Sequence, residues 1–282
     1  MNEHLRQTPE TEVCQQRIPI FISGMGKMGT LIAEQVAQSD HFVLSRYAMT
    51  SARHRRTVQK FGEQNVLLVD YCPSHRELAP GTIAVDFTTA KSAVLNVIQY
   101  TYLNIPFVMG TTGGDRQEIE KMVRRSQISA VIAPNMATEV VEVQDEFQRL
   151  IETSPDTFQG WHMTVRESHQ VAKRDVSGTA RAFQAQLERL GATMEGEIES
   201  IRDPEVQRQL GIKNLDGHAY HWITLTGPND ETREFTTAIE GRQSYVEGTL
   251  AAIRFLAIQI RNGSQGEVFT MSDVVSGLRR IA

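Results

Sequence analysis

The sequence predicts an α/β fold: a doubly wound parallel sheet at the N-terminal end, followed by a second α+β domain built on an open mixed sheet. Three observations predict it. A short apolar run ends in a G-x-G-x-x-G motif where a helical pattern begins. Strand-length apolar runs then alternate with helix-length amphipathic segments as far as Pro134. Beyond Pro134 the strand candidates alternate apolar with polar positions, as in a sheet with one solvated face.

In order, residues 18–23 form an apolar strand closed by Gly24, and residues 28–38 a helix with Met28, Ile32 and Val36 on one face. Residues 42–49 and 83–87 are strands, 91–103 a helix, 107–109 a strand, 116–126 a charged helix and 130–133 a strand. This alternation implies a parallel sheet with right-handed crossovers. Residues 138–153 form one long helix. Strands follow at 163–167, 198–202, 220–226 and 233–239, with a helix over 177–190 ended by Gly191. Residues 245–260 and 272–278 are helical. The expected organisation is a disordered tail over 1–17, a Rossmann-like dinucleotide-binding domain over 18–137 completed by helices from 249–282, and a substrate-binding and oligomerisation domain over 138–248. A cleft is expected between the two domains.

Composition narrows the partners. The chain has 282 residues, 40% hydrophobic and 22% charged, with a net charge of −5. An acidic balance argues against nucleic acid, which needs a basic surface. No stretch of ~20 apolar residues offers a membrane span. Cys14 and Cys72 have no metal-ligand spacing, so no metal is expected and a reducing compartment is the simplest reading. Residues 1–17 are polar, carry three glutamates and lack an apolar signal core, and a cytoplasmic enzyme is expected.

In Gly24-Met25-Gly26-Lys27-Met28-Gly29 each glycine has a reason. Gly24 permits the tight turn, Gly26 lets backbone approach a pyrophosphate, and Gly29 lets helix and strand pack closely. The helix start supplies unpaired N–H groups to the phosphates. Read alone, the motif is also compatible with a plain strand–helix turn. NAD would call for a carboxylate about 20 residues on. No Asp or Glu lies between Asp40 and Glu63, and Asp40 precedes the second strand. Arg46, Ser51, Arg53, Arg55 and Arg56 instead suit a 2′-phosphate, although a solvated basic loop reads the same way. NADPH is the expected cofactor and NADH the alternative. Phe87, Thr88, Thr89, Gly110, Thr111 and Thr112 lie at the carboxyl ends of strands, where ligands of open sheets bind, or else serve ordinary turns.

Residues 167–180 read Glu-Ser-His-Gln-Val-Ala-Lys-Arg-Asp-Val-Ser-Gly-Thr-Ala. His169 is the side chain most easily poised as an acid near neutral pH, and Lys173 can pair with a carboxylate or give up a proton. Ser177 caps a helix whose Gly178 and Thr179 amides are free to hold a carboxylate. Each residue alone has a structural explanation. Together they suit a small dianion undergoing reduction.

This segment resembles the signature of the dihydrodipicolinate reductase family. Gly-Lys-Met-Gly of the first loop, Asp86-Phe87-Thr88, Gly110-Thr111-Thr112-Gly113, Ala133-Pro134-Asn135-Met136 and Gly241-Arg242-x-x-Tyr245-x-x-Gly248 match in family order from about Ile18 onward. Gln170 replaces the second histidine of the common bacterial form and Val176 its proline, as in the plant-type branch. The glycine loop is one residue shorter than the family's usual G-x-x-G-x-x-G. The resemblance implies NAD(P)H-dependent reduction of 4-hydroxy-tetrahydrodipicolinate in lysine and diaminopimelate biosynthesis, by a homo-oligomer, dimer or tetramer. Hydride would go to ring C4 and a proton to the neighbouring carbon, with His169 and Lys173 as the proton-donating pair. Gln170, Lys173, Ser177, Gly178 and Thr179 would bind the cyclic dicarboxylate. Gly24, Gly26, Lys27, Met28, Gly29, Arg46, Phe87, Thr88, Gly110, Thr111, Thr112, Ala133, Pro134, Asn135, Met136 and Arg242 would serve the cofactor, and for Arg242 a purely structural role is as consistent. The rival readings are another two-domain dehydrogenase and a nonenzymatic NADP(H) sensor, which would have no use for the His169–Lys173 loop.

Overall fold

A computed structural model describes residues 17–279, so the expected disordered tail lies outside the described residues except for Arg17. In chain order the first elements are β1 (Ile18–Ser23), α1 (Lys27–Ala37), β2 (Phe42–Met49), β3 (Val58–Phe61), β4 (Gln64–Val69), β5 (Ile83–Asp86), α2 (Ala90–Tyr102), β6 (Phe107–Met109), α3 (Arg116–Arg124) and β7 (Ala130–Ile132). Then come α4 (Thr138–Thr153), β8 (His162–His169), α5 (Gly178–Arg189), β9 (Thr193–Met194), β10 (Glu199–Ile201), α6 (Pro204–Gln209), β11 (His218–Thr226) and β12 (Thr232–Glu240). The chain ends with α7 (Gln243–Arg261), β13 (Val268–Phe269) and α8 (Met271–Arg279). Two compact units result: one takes the chain up to Pro134 and again from Thr249, the other is Asn135–Gly248.

The first unit is built on a sheet in the order β13-β7-β6-β5-β1-β2-β4-β3, parallel throughout except for the β3–β4 hairpin at its edge. Continuous apolar runs make its central strands. Ile20, Phe21, Ile22, Ala84, Val85, Phe107 and Val108 are all buried, because helices cross between successive parallel strands and leave neither face to water. The chain leaves β1 for β2 on one side and reaches β5 on the other. The order therefore reverses between β1 and β5, and a crevice opens at their carboxyl ends. The expected α/β class is what is observed.

Two differences from the sequence reading matter. The β3–β4 hairpin was not expected, since β3 is an exposed edge strand with no core periodicity; Val58 is 65% exposed. β2 ends at Met49 as expected, pairing there with Ser23 at the end of β1, and the second difference is the place of Arg46. Arg46 therefore lies in mid-strand, exposed, with its guanidinium 5.4 Å from the Tyr47 ring centroid.

The second unit is a mixed sheet in the order β10-β8-β11-β12, with β9 also on β8. β8 pairs antiparallel with β11 and parallel with β10. Alternation along β11 and β12 buries Ala219, Ile223, Leu225 and Ile239 and turns their neighbours outward. That inner face packs on α4 and α5, where Phe147 meets Phe183 and Phe235 edge-on at 6.0 and 4.9 Å between centroids.

Candidate active site

The glycine loop in the first unit follows from steric necessity. Gly24 has φ +95°, and a Cβ there would lie 2.4 Å from the Phe87 carbonyl oxygen. A Cβ on Gly29 would lie 1.9 Å from the Gly24 oxygen, so only glycine lets α1 start this close to the turn. Gly26, by contrast, would meet nothing within 4 Å. It is the N-cap of α1 and caps it with no side chain, so the early N–H groups, Lys27 and Met28 among them, have no acceptor among the described residues. The loop borders a cavity of about 710 Å³ lined also by Met49, Thr50, Ser51, Asp70, Phe87 and Thr88. Arg46 is not brought to it. Asp70 lies at the end of β4 with Arg55 2.7 Å away, and that guanidinium holds its carboxyl below the usual range.

Beneath the crevice Asp86 is fully buried. Its Oδ1 accepts from the Thr88 amide (3.1 Å), the Thr88 hydroxyl (2.7 Å) and the Thr111 hydroxyl (2.6 Å). Its Oδ2 accepts from Asn96 Nδ2 and the Tyr100 hydroxyl, both at 2.9 Å. Burial first, and the Asp86 charge second, push the Tyr100 hydroxyl well above its usual pKa, so it remains a donor. The hydroxyls of Thr88 and Thr111 are thus engaged by Asp86, and the Phe87 ring covers Gly110. Thr112 is exposed, and Ala133 anchors its segment through N–H to the Met109 oxygen. Pro134 is the last residue before the boundary; Asn135 and Met136 belong to the second unit.

In the second unit β8 carries Glu167, Ser168 and His169 buried at its end. Glu167 Oε1 accepts from Ser200 (2.7 Å) and Arg202, and its Oε2 lies 3.1 Å from His169 Nε2. His169 Nδ1 lies 3.2 Å from the His218 carbonyl. Both ring nitrogens of His169 therefore lie near oxygens, but Nε2 and Glu167 Oε2 form no hydrogen bond despite their proximity. His221 on β11 sits with its ring centroid 5.5 Å from that of His169, its Nε2 3.0 Å from the Ser177 hydroxyl and its Nδ1 2.9 Å from Thr237. Ser177 caps α5 by accepting from the Ala180 amide, as expected. The Gly178 and Thr179 amides have no acceptor among the described residues, and the Thr179 hydroxyl receives Asn135 Nδ2 at 3.4 Å. Lys173 and Gln170 are half-buried and joined by a backbone turn, and the Lys173 ammonium has no ion pair among the described residues. Arg242 donates to the Asp216 carbonyl at 3.3 Å and lies over Gly217. The sequence reading thus has His169, Lys173, Ser177, Gly178 and Thr179 within one unit, but missed His221, Arg202 and Ser200. Glu167, His169 and His221 also bring potential ligand atoms within 4.8 Å of one another; Ser177 and Thr237 meet the His221 nitrogens, whereas Glu167 Oε2 and His169 Nε2 are buried with no hydrogen-bond partner among the described residues.

The electrostatics of this cluster set a pH dependence. Burial pushes His221 down to about 3, aided by the charge of His169. Burial alone would raise Glu167, but His169, Ser200 and Arg202 outweigh it and hold the carboxyl far below the usual range. In both cases the unfolded chain takes up a proton first as pH falls, so each contribution to stability is present at neutral pH and lost on acidification. His221 acts from its unfolded value of 6.5 downward and Glu167 below 4.5. Denaturant titrations between pH 7 and about 4 are expected to lose roughly 3 kcal/mol through His221, and a His221→Gln variant to have a shallower slope by up to one proton.

A glycine-rich helix start on a doubly wound sheet, with an imidazole and an ammonium that has no ion pair among the described residues in the second unit, is the arrangement of a dinucleotide-dependent oxidoreductase. Two family models match: "Dihydrodipicolinate reductase, N-terminus" over residues 18–136 and "Dihydrodipicolinate reductase, C-terminus" over 145–275. The probable 4-hydroxy-tetrahydrodipicolinate reductase 2, chloroplastic, of Oryza sativa subsp. japonica is 37% identical over 91% of this chain and 82% of its own. The 4-hydroxy-tetrahydrodipicolinate reductase 2, chloroplastic, of Arabidopsis thaliana is 34% identical over 92% and 77%. A dipicolinate-bound dihydrodipicolinate reductase from Paenisporosarcina sp. TG-14 shares the fold at TM-score 0.61 and 18% identity, covering 90% of this chain and 98% of that one. An aspartate semialdehyde dehydrogenase II from Vibrio cholerae shares it at TM-score 0.53 and 11% identity, covering 88% and 99%, so fold alone does not choose between reactions. The chain belongs to the dihydrodipicolinate reductase family.

One expectation is overturned. The plant relatives are named chloroplastic, which points to the plastid and not to the cytoplasm. The lack of an apolar secretory core in residues 1–17 argues only against secretion and does not establish the cytoplasm. Those residues, up to 16, lie outside the described residues.

Proposed function

We propose that this protein reduces 4-hydroxy-tetrahydrodipicolinate, or its dehydrated form, to tetrahydrodipicolinate with a reduced nicotinamide dinucleotide, in lysine and diaminopimelate biosynthesis. The observation that carries the reading is the His169–His221–Ser177 contact chain, which joins an imidazole to a helix start with unpaired amides. The bound cofactor supplies the hydride. Gly178 and Thr179 amides hold one carboxylate of the substrate, and Lys173 pairs with the other. His169 and Lys173 give the proton to the carbon beside the reduced one. Gln170 donates a hydrogen bond and does not titrate. The remaining cofactor contacts, Lys27, Met28, Gly110, Thr112, Ala133, Pro134, Asn135, Met136 and Arg242, rest on the family pattern.

NADPH is the cofactor we favour. The cavity ends at Thr50, Ser51, Ala52 and His54, beside a run with Arg53, Arg55 and Arg56. Its Asp70 is engaged by Arg55. A 2′-phosphate at Ser51 would find a hydroxyl and basic side chains. Arg46 has no part in this. Substrate made in a coupled reaction and followed at the NADPH absorbance, with NADH in parallel, tests both points. Absence of turnover with either cofactor would end the proposal. A Ser51→Glu variant is expected to lower kcat/KM for NADPH at least ~10-fold and to spare NADH, because a carboxylate repels the phosphate and accepts from a 2′-hydroxyl.

Self-association through the second sheet is part of the same proposal. β12 pairs on one side only among the described residues, with β11. The outward face of β11 stacks Tyr220 on Trp222 at 5.4 Å, with Arg166 over the indole. A nine-residue open edge of this kind is normally covered, and a second copy of the chain covers it symmetrically.

A further inference from the structure

We infer that Arg202 is a positioning residue for the proton-donating loop: one guanidinium ties the buried carboxylate beside His169 to the backbone of the segment that carries Lys173. The inference rests on the roles proposed for His169 and Lys173. Arg202 follows β10, whose parallel register sets Ile201 against Ser168 and so delivers the next side chain to Glu167. Its Nη2 donates to Glu167 Oε1 and, at 3.3 Å, to the Asp175 carbonyl. Its Nε donates to the Lys173 carbonyl at 2.7 Å, and its Nη1 to the Ile201 carbonyl at 3.0 Å. Glu167 is fully buried, and the Arg202 side chain only 19% exposed.

Residues 170–176 have no regular structure, and few contacts other than these fix their path. The Lys173 amide closes a turn on the Gln170 carbonyl at 2.9 Å, and Gln207 Nε2 holds the His169 carbonyl at 2.8 Å at the start of the loop. Beyond that turn, the carbonyls of Lys173 and Asp175 both rest on Arg202. The guanidinium is a planar fork that can serve a carboxylate and two carbonyls at once, which an ammonium cannot do from one position. One residue thereby sets the separation between the Nε2 edge of His169 and the backbone from which Lys173 projects. A displacement of about 1 Å at a reacting group costs on the order of 10²-fold in rate.

The test is steady-state kinetics of the full-length enzyme carrying Arg202→Ala and Arg202→Lys, with NADPH affinity measured by fluorescence. Arg202→Ala is expected to lose about 10²-fold in kcat with NADPH affinity within about twofold, and to recover at least part of the loss on addition of millimolar guanidinium ion. Arg202→Lys keeps the charge beside Glu167 but not the fork, and is expected to lose about tenfold with no response to guanidinium. Should the alanine variant fail to fold, the lysine variant decides. Turnover within twofold of the unsubstituted enzyme in the folded variants, or a loss indifferent to guanidinium in Arg202→Ala, overturns the inference. If Lys173→Ala and His169 variants also retain turnover, the proton-donor reading itself has failed; if those lose turnover while Arg202 variants keep it, only the positioning role has.

Discussion

Lys173→Ala is expected to lower kcat by about two to four orders of magnitude while NADPH binding stays within about twofold. The size follows from what Lys173 lacks as much as from where it sits. Its backbone is held by Arg202 and by the turn from Gln170, but its ammonium has no ion pair among the described residues. A half-buried cation with no internal partner has nothing structural to lose on truncation, so the folded state should be hardly affected. Its charge nevertheless reaches into the cluster, where it helps to depress His221 after burial and His169 have done most of the work. In the proposed site, which has to neutralise a dicarboxylate and return a proton, that one group would serve both tasks. Lys173→Arg should restore charge but not the proton, so substrate KM should recover more than kcat. Near-normal turnover in Lys173→Ala would remove the assigned chemistry.

What could be read in the sequence was whatever depends on neighbours along the chain. The glycine loop follows an apolar run and opens a helix, and Gly24 and Gly29 have the close contacts their spacing implies while Gly26 faces open space. The helix Thr138–Thr153 begins and ends where its periodicity does. Ser177 was legible as a cap because capping is a three-residue affair. What could not be read depends on register between distant strands. Arg46 looked like part of the basic stretch at the cofactor until the pairing of Ser23 with Met49 left it in mid-strand, with Thr50 and Ser51 just beyond the end of β2. Arg202 reaches Glu167 only because β10 lies parallel to β8. His221 faces Glu167 across the β8–β11 ladder. One signal was available: a Glu at the buried end of a strand needs a cation, and an Arg just after another strand is where to look for it. Position 221 carries a further signal, since a histidine on the apolar face of an alternating strand has to find hydroxyl or carbonyl partners.

Gly29→Ala and Gly26→Ala, made side by side, should separate stability from cofactor binding, because the same one-carbon change meets backbone at one position and open space at the other. At Gly29 the new Cβ would lie 1.9 Å from the Gly24 oxygen and 3.2 Å from an Ile22 methyl. Neither can retreat cheaply, since the Gly24 amide is tied to the Met49 carbonyl at 2.9 Å and Ile22 is buried in the central strand. Overpacking of this kind costs up to about 3 kcal/mol, roughly 10 °C in Tm for a domain of this size. At Gly26 the backbone is extended and a Cβ meets nothing, so Tm should hold within about 2 °C. That same open space is where a pyrophosphate would approach the first-turn amides, and a methyl there should raise the Kd for NADPH at least ~10-fold. Thermal melts with and without NADPH distinguish the two variants, since a ligand that no longer binds no longer raises Tm. A Gly26→Ala protein that melts normally and still gains the full NADPH-dependent increase would place the pyrophosphate somewhere other than this helix start.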